Sequence, residues 1–130
     1  MSCDFAILSL DNVLTDSETS LLYQELLDGN TSGVSPNKSI SDFYRELIKL
    51  HPEIDDVPDE LIDDTDYCPW SIAFDKSDGH LIICCVWSKS DYVLELLYSL
   101  ANKHRLVMFD PQSEMIVNRD VLNGWSTSKP

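Results

Sequence analysis

Basic residues are scarce in this chain, and so are glycines. Nine Lys and Arg stand against 23 Asp and Glu, a formal net charge of −14. Nucleic acid and anionic membrane are therefore poor partners, because either must be held by a positive surface that these residues cannot assemble. Four glycines leave little material for a phosphate-cradling loop, and G-x-x-x-x-G-K-[ST], G-x-S-x-G and H-E-x-x-H are all missing. No apolar stretch reaches the ~20 residues of a membrane helix. The four cysteines, Cys3, Cys68, Cys84 and Cys85, form no C-x-x-C and stand at no zinc spacing from a histidine. The opening MSCDFAILSL carries Asp4 ahead of its apolar run and has no basic region of a secretion signal. The expectation is a soluble, reduced, cytoplasmic protein.

Catalytic groups are as thinly spread. His51, His80 and His104 belong to no motif, and Ser17, Ser39 and Ser88 read as helix caps rather than nucleophiles. The dense acids between residues 53 and 66 do not follow the calcium-loop pattern D-x-[DN]-x-[DN]-G and lack its glycine. The chain is read as a binding protein and not an enzyme, with no cofactor and no metal.

What is present is a well-patterned globular chain of 130 residues, 43% of them apolar, enough for one domain with its own core. Residues 1–122 are assigned to that domain and 123–130 to a frayed tail. HLIICCVW, residues 80–87, is short, apolar and rich in β-branched residues, and reads as a central strand covered on both faces. Residues 3–10 give a first strand, also buried on both faces. Thr15-Asp16-Ser17-Glu18 matches the capping box of a helix that runs through Leu22, Tyr23 and Leu26 to Gly29. Ile40, Phe43, Tyr44, Leu47 and Ile48 recur at i, i+3, i+4, i+7 and i+8, an amphipathic helix opening at Ser39 or Ser41 and closed by Pro52.

Trp70, Ile72 and Phe74 alternate with smaller or polar residues. They predict a strand hairpinned to residues 80–87 through the turn Asp75-Lys76-Ser77-Asp78-Gly79, with Gly79 free to take a positive φ. Ser88 or Ser90 caps a third helix carrying Val93, Leu94, Leu97, Leu100 and Ala101, and two short strands follow at 106–109 and 114–117. The fold class is α+β: a mainly antiparallel sheet of about five strands backed by about three helices. Its order is that of a split βαβ unit with one extra helix and one extra terminal strand.

Eight acids and no Lys or Arg lie between Glu53 and Asp66. Pro52, Pro58 and Pro69 make this an irregular connection, which Ile54, Val57, Leu61 and Ile62 would tie down so that its carboxylates face water. Tyr67 and Trp70 border it and read as aromatic anchors, whereas Trp87, at the end of a buried strand, reads as core. Carboxylates that steer an encounter, beside an aromatic that slows dissociation, suit the capture of a basic macromolecule. The candidate partner-binding residues are Asp55, Asp56, Asp59, Glu60, Asp63, Asp64, Asp66, Tyr67 and Trp70.

Three segments carry a resemblance: MSCDFAILSL at the start, Val86-Trp87-Ser88 running into a helix, and LVMFDPQ from Leu106 to Gln112. Together they resemble small acidic bacterial proteins of the immunity-protein type, whose members are encoded beside secreted antibacterial toxins. The resemblance covers the start and the last half of the chain and leaves out the acidic middle. It implies a toxin inhibitor of interbacterial competition, of a type VI or contact-dependent system, that covers the active site of a cognate toxin domain with a basic surface. No catalytic residues come with it, and Trp87, Asp110 and Pro111 read as structural. The alternative is an acidic regulator that mimics nucleic acid and occupies a DNA-binding protein.

Overall fold

The strand at the centre of the sheet is the first one. In the computed structural model, which describes residues 2–119, β1 (Ser2–Leu8) is flanked by β3 (His80–Val86) and β4 (Val107–Asp110), with β2 (Asp75–Ser77) and β5 (Met115–Ile116) at the edges. The tail assigned to residues 123–130 lies outside the described residues. Every pairing is antiparallel, in the order β2-β3-β1-β4-β5, and Phe5 stands opposite Ile83. β1 and β2 are therefore parallel to each other with β3 between them, and β3 and β4 are parallel with β1 between them. These are the two interlocked crossovers of a split βαβ unit.

Three helices cover both faces of this sheet. α1 (Asp16–Leu27) precedes α2 (Lys38–Leu50), and α3 (Ser90–His104) joins β3 to β4. Alternation along β1 sends Cys3, Phe5 and Ile7 to one face, where Ile40, Phe43 and Leu47 of α2 and Val93, Leu97 and Leu100 of α3 pack on them. Ala6 and Leu8 point the other way, against Leu22, Tyr23 and Leu26 of α1. α1 is thus the helix added to the split unit, and it is why β1 and β3 need no polar face. Cys85 and Cys84 fall on opposite faces as adjacent strand residues must; Cys85 is buried, while Cys84 is only partly so.

The caps explain where the helices begin and end. Thr15 Oγ1 accepts from the Glu18 amide at 3.1 Å and Glu18 Oε1 accepts from the Thr15 amide at 3.0 Å, a reciprocal box. At the far end Gly29 adopts φ 89°, and the Asn30 amide reaches back to the Glu25 carbonyl at 2.9 Å. α2 starts earlier than Ser39, because Asn37 takes the capping position and accepts from the Ser39 amide at 2.9 Å. Before α3, residues Trp87–Lys89 form a 3-10 turn and neither Ser88 nor Ser90 caps the helix.

Three further expectations fail at the sheet edge. Gly79 does not use a positive φ; its role is close approach, since a Cβ there would lie 2.8 Å from the Ser35 carbonyl oxygen. Asp75, Lys76 and Ser77, expected in the turn, are strand β2, paired with Ile82, Leu81 and His80. The strand expected over residues 70–74 is interrupted. Trp70 makes an isolated bridge to Cys85, Ile72 is exposed, and continuous pairing resumes only at Asp75. The reason is a competing partner: the Phe74 amide donates to Glu53 Oε1 at 3.1 Å, so its hydrogen bond goes to a side chain rather than to a strand.

Candidate interaction surface

The acidic segment is a closed loop with its ends pinned together. Pro52 stops α2 after Leu50, and His51 and Pro52 then bind the returning chain. The Trp70 indole N–H donates to the His51 carbonyl at 3.3 Å, and the Cys68 thiol to the Pro52 carbonyl at 3.4 Å. The His51 ring lies 3.0 Å from the Tyr67 carbonyl through Nδ1 and 2.7 Å from the Tyr92 hydroxyl through Nε2. A carbonyl only accepts, so Nδ1 carries a proton, and in the neutral ring the phenol then donates to Nε2.

Between these pins the chain makes two 3-10 turns, Ile54–Asp56 and Asp59–Leu61, with Val57 buried and Ile54 and Leu61 packed against the main core. Ile62, expected to help, is exposed instead. Asp64 Oδ1 accepts from the amides of Asp66 at 3.0 Å and Tyr67 at 3.2 Å, turning the chain back toward the sheet.

Glu53 is the exception among the acids, because it points inward and is buried. Its Oε2 accepts from Lys76 Nζ at 2.8 Å and from the Tyr44 hydroxyl, while Oε1 takes the Phe74 amide. Burial pushes its carboxyl up, but the Lys76 ammonium, the Tyr44 hydroxyl and the Phe74 amide outweigh that and hold it below the usual glutamate range. The same network raises Lys76, chiefly through its bond to Glu53. Glu53 therefore ties the start of the segment to α2 and β2.

Asp55, Asp56, Asp59, Glu60, Asp63, Asp64 and Asp66 are all exposed. Among the described residues only Asp66 of these seven has an ion-pair partner, the Lys89 ammonium, which holds its carboxyl below the ordinary aspartate value. Tyr67 is 39% exposed, as an anchor needs, but Trp70 is 2% exposed and is not available to a partner. Its ring is packed edge-on against Phe74 at 5.1 Å and His51 at 6.0 Å, and its bridge to Cys85 draws it under the loop. Trp87 reverses its expectation too. β3 ends at Val86, and the 3-10 turn that follows carries Trp87 out of the sheet, leaving it 51% exposed.

The Val86 amide donates to the Pro69 carbonyl at 2.8 Å, so Trp87 stands next to the chain that carries Tyr67. Tyr92, on the first turns of α3, is 48% exposed. Sequence periodicity gave no hint of Tyr92, whose place is fixed by the contact to His51. An open cleft of ≈ 290 Å³ lies here between the loop and α3, lined by His51, Thr65, Asp66, Lys89 and Tyr92.

The other histidines are held in structural contacts. His80 is buried, with Nδ1 2.5 Å from Ser77 Oγ and Nε2 3.4 Å from Asp75 Oδ1 without hydrogen-bond geometry. The Ser77 oxygen also accepts from the Gly79 amide at 3.1 Å, which makes it part of the hairpin turn. His104 lies 3.0 Å from Glu46. Among the described residues no three His, Cys, Asp or Glu side chains gather where they could hold a metal ion, and no helix is long and apolar enough to cross a membrane. No family model, no curated protein and no solved structure matches the chain.

Proposed function

We propose that the protein is an immunity protein that neutralises a cognate antibacterial toxin by direct binding, covering a basic active-site surface with the acidic segment. The observation that carries this reading is that Asp55, Asp56, Asp59, Glu60, Asp63 and Asp64 face water with no ion-pair partner among the described residues, beside exposed Tyr67, Trp87 and Tyr92. Like charges gathered without counter-charges cost stability and raise the rate of encounter with a positive surface. The toxin as partner is supported by the resemblance of three segments. They fall on β1, on the end of β3 with the 3-10 turn before α3, and on β4 with the turn after it, and the three strands are neighbours in the sheet. Gln112, in that turn, bonds the Asp4 amide at 2.8 Å and its carbonyl at 2.7 Å, clasping the central strand. Apart from exposed Trp87, the resembling residues thus build the scaffold, and the segment outside the resemblance supplies the carboxylates of the surface, as expected where specificity is carried on a loop.

The test is co-expression with the product of the gene directly upstream. That product alone should arrest growth of a bacterial host, and this protein should relieve the arrest. In stopped-flow mixing of the two proteins, Asp59→Lys, Glu60→Lys and Asp63→Lys together should slow association about ten-fold or more at low salt and flatten its salt dependence. Growth arrest without relief would sink the immunity reading. Unchanged kinetics would remove the acidic segment from the interface, and binding to many unrelated DNA-binding proteins would favour a nucleic-acid mimic instead.

A further inference from the structure

The cleft beside α3 already holds a cation. Its carboxylate wall is Asp66 and its aromatic wall is Tyr92, and Lys89 reaches across to Asp66 from the turn that precedes the helix. Tyr92 is fixed in place although its ring is half-exposed. Its hydroxyl is hydrogen-bonded with His51 Nε2 at 2.7 Å, and the two rings meet edge-on at 5.6 Å and 89°. His51 is in turn fixed by the Tyr67 carbonyl. A rigid aromatic face beside a carboxylate is suited to a planar cation, which can stack on the ring while bonding both oxygens of the acid. Lys89 cannot do this, because an ammonium is a compact point charge on a flexible stem. It fills the charge requirement of the cleft and leaves the stacking unused.

We propose that this cleft is the seat for an arginine side chain of the partner protein, which displaces Lys89 from Asp66. The inference rests on the reading of the acidic segment as a partner surface and adds the chemistry of the residue it selects. The occupant is argued from charge complementarity: carboxylates crowd the segment that leads into the cleft, and Asp66 is 83% exposed on its side chain, open to a second cation. Lys89 is then an internal competitor. It screens Asp66 in the free protein and yields to a guanidinium that makes more bonds.

The test is isothermal titration of the full chain with an acetylated, amidated hexa-arginine peptide, with each variant's fold checked by circular dichroism. Lys89→Gln should bind the peptide about three- to ten-fold more tightly, as expected when a competing charge is removed. Lys38→Gln makes the same change of charge at the opposite end of α2 and should alter affinity less than about two-fold. Tyr92→Leu should weaken binding several-fold and Tyr92→Phe, which keeps the ring, should retain most of it; hexa-lysine should bind more weakly than hexa-arginine.

Lys89→Gln binding no tighter than Lys38→Gln, hexa-lysine matching hexa-arginine, or no binding by any variant overturns the proposal. If the reversal of Asp59, Glu60 and Asp63 abolishes peptide binding while Lys89→Gln is silent, the acidic surface stands and the cleft falls. If Lys89→Gln tightens binding but no toxin is neutralised, the cleft stands and the immunity reading falls.

Discussion

On the inner rim of the acidic segment Glu53 and Trp70 are buried with their polar atoms bonded; on the outer rim Asp59, Glu60, Asp63 and Trp87 face water. The two rims use the same residue types, acid and tryptophan. What separates them is the supply of partners. Glu53 meets an ammonium, a phenol and an unpaired amide within one small space, and that set repays the loss of water around a carboxylate. The outer acids meet no cation but Lys89 among the described residues, so they stay hydrated. Trp70 finds a carbonyl for its indole N–H and rings to pack on, while Trp87 is set outside by a turn of the backbone. The inner rim makes the structure and the outer rim is left facing water.

The inner rim is most vulnerable at Trp70. Trp70→Ala should destabilise the protein by about 3–5 kcal/mol, the usual cost of deleting a buried tryptophan, and thermal unfolding measures it. A loss no larger than that of a surface substitution would mean that the segment is not anchored to the sheet as described.

Glu53 comes next. Glu53→Ala leaves the Phe74 amide and the Tyr44 hydroxyl without their acceptor and should cost roughly 1–3 kcal/mol. The effect carries a pH signature. The carboxyl sits below its ordinary value of 4.5 in the folded protein, so its contribution is present above pH 4.5 and fades as the pH falls through the lower folded value. Lys76, raised above 10.5, gives the mirror image: its share is present below that value and is lost only as the pH rises through its higher folded value. Denaturant unfolding of Glu53→Ala and the parent should therefore diverge at neutral pH and converge in acid. A gap that persists undiminished well below pH 4.5 would show that the cost is packing and not the ionised network.

Most of the frame was legible in the residues and much of the rim was not, for a physical reason. The spacing of Ile40, Phe43 and Leu47 and the apolar run of β3 report local periodicity, which burial of one face enforces. The Thr15 box and Gly29 are local as well. Whether the Phe74 amide pairs with a strand or with Glu53 depends on a residue 21 positions away, and no pattern within residues 70–77 records that choice. The exchange of roles between Trp70 and Trp87 has the same origin. Both end or flank an apolar run, so periodicity places both near the core; the bridge to Cys85 and the 3-10 turn after Val86 decide between them. The exposed acids from Asp55 to Asp66 were readable because Lys and Arg are missing from the segment, whereas Tyr92 carried no signal at all.

The smallest expected change in stability belongs to Trp87. Trp87 contributes no strand pairing and shows half its surface to water, so Trp87→Ala should move the unfolding free energy by no more than about 0.5 kcal/mol. An exposed tryptophan beside carboxylates is poor economy for a monomer and good placement for an anchor, which a partner buries and a solvent exposes. On the proposed reading the same variant should shorten the lifetime of a complex with the upstream gene product by ten-fold or more, roughly the 1.4 kcal/mol that a tenfold change represents, and should leave the association rate little altered if the acids do the steering. A variant that unfolds as readily as Trp70→Ala would return Trp87 to the core, and one that leaves both stability and dissociation untouched would take it out of the surface altogether.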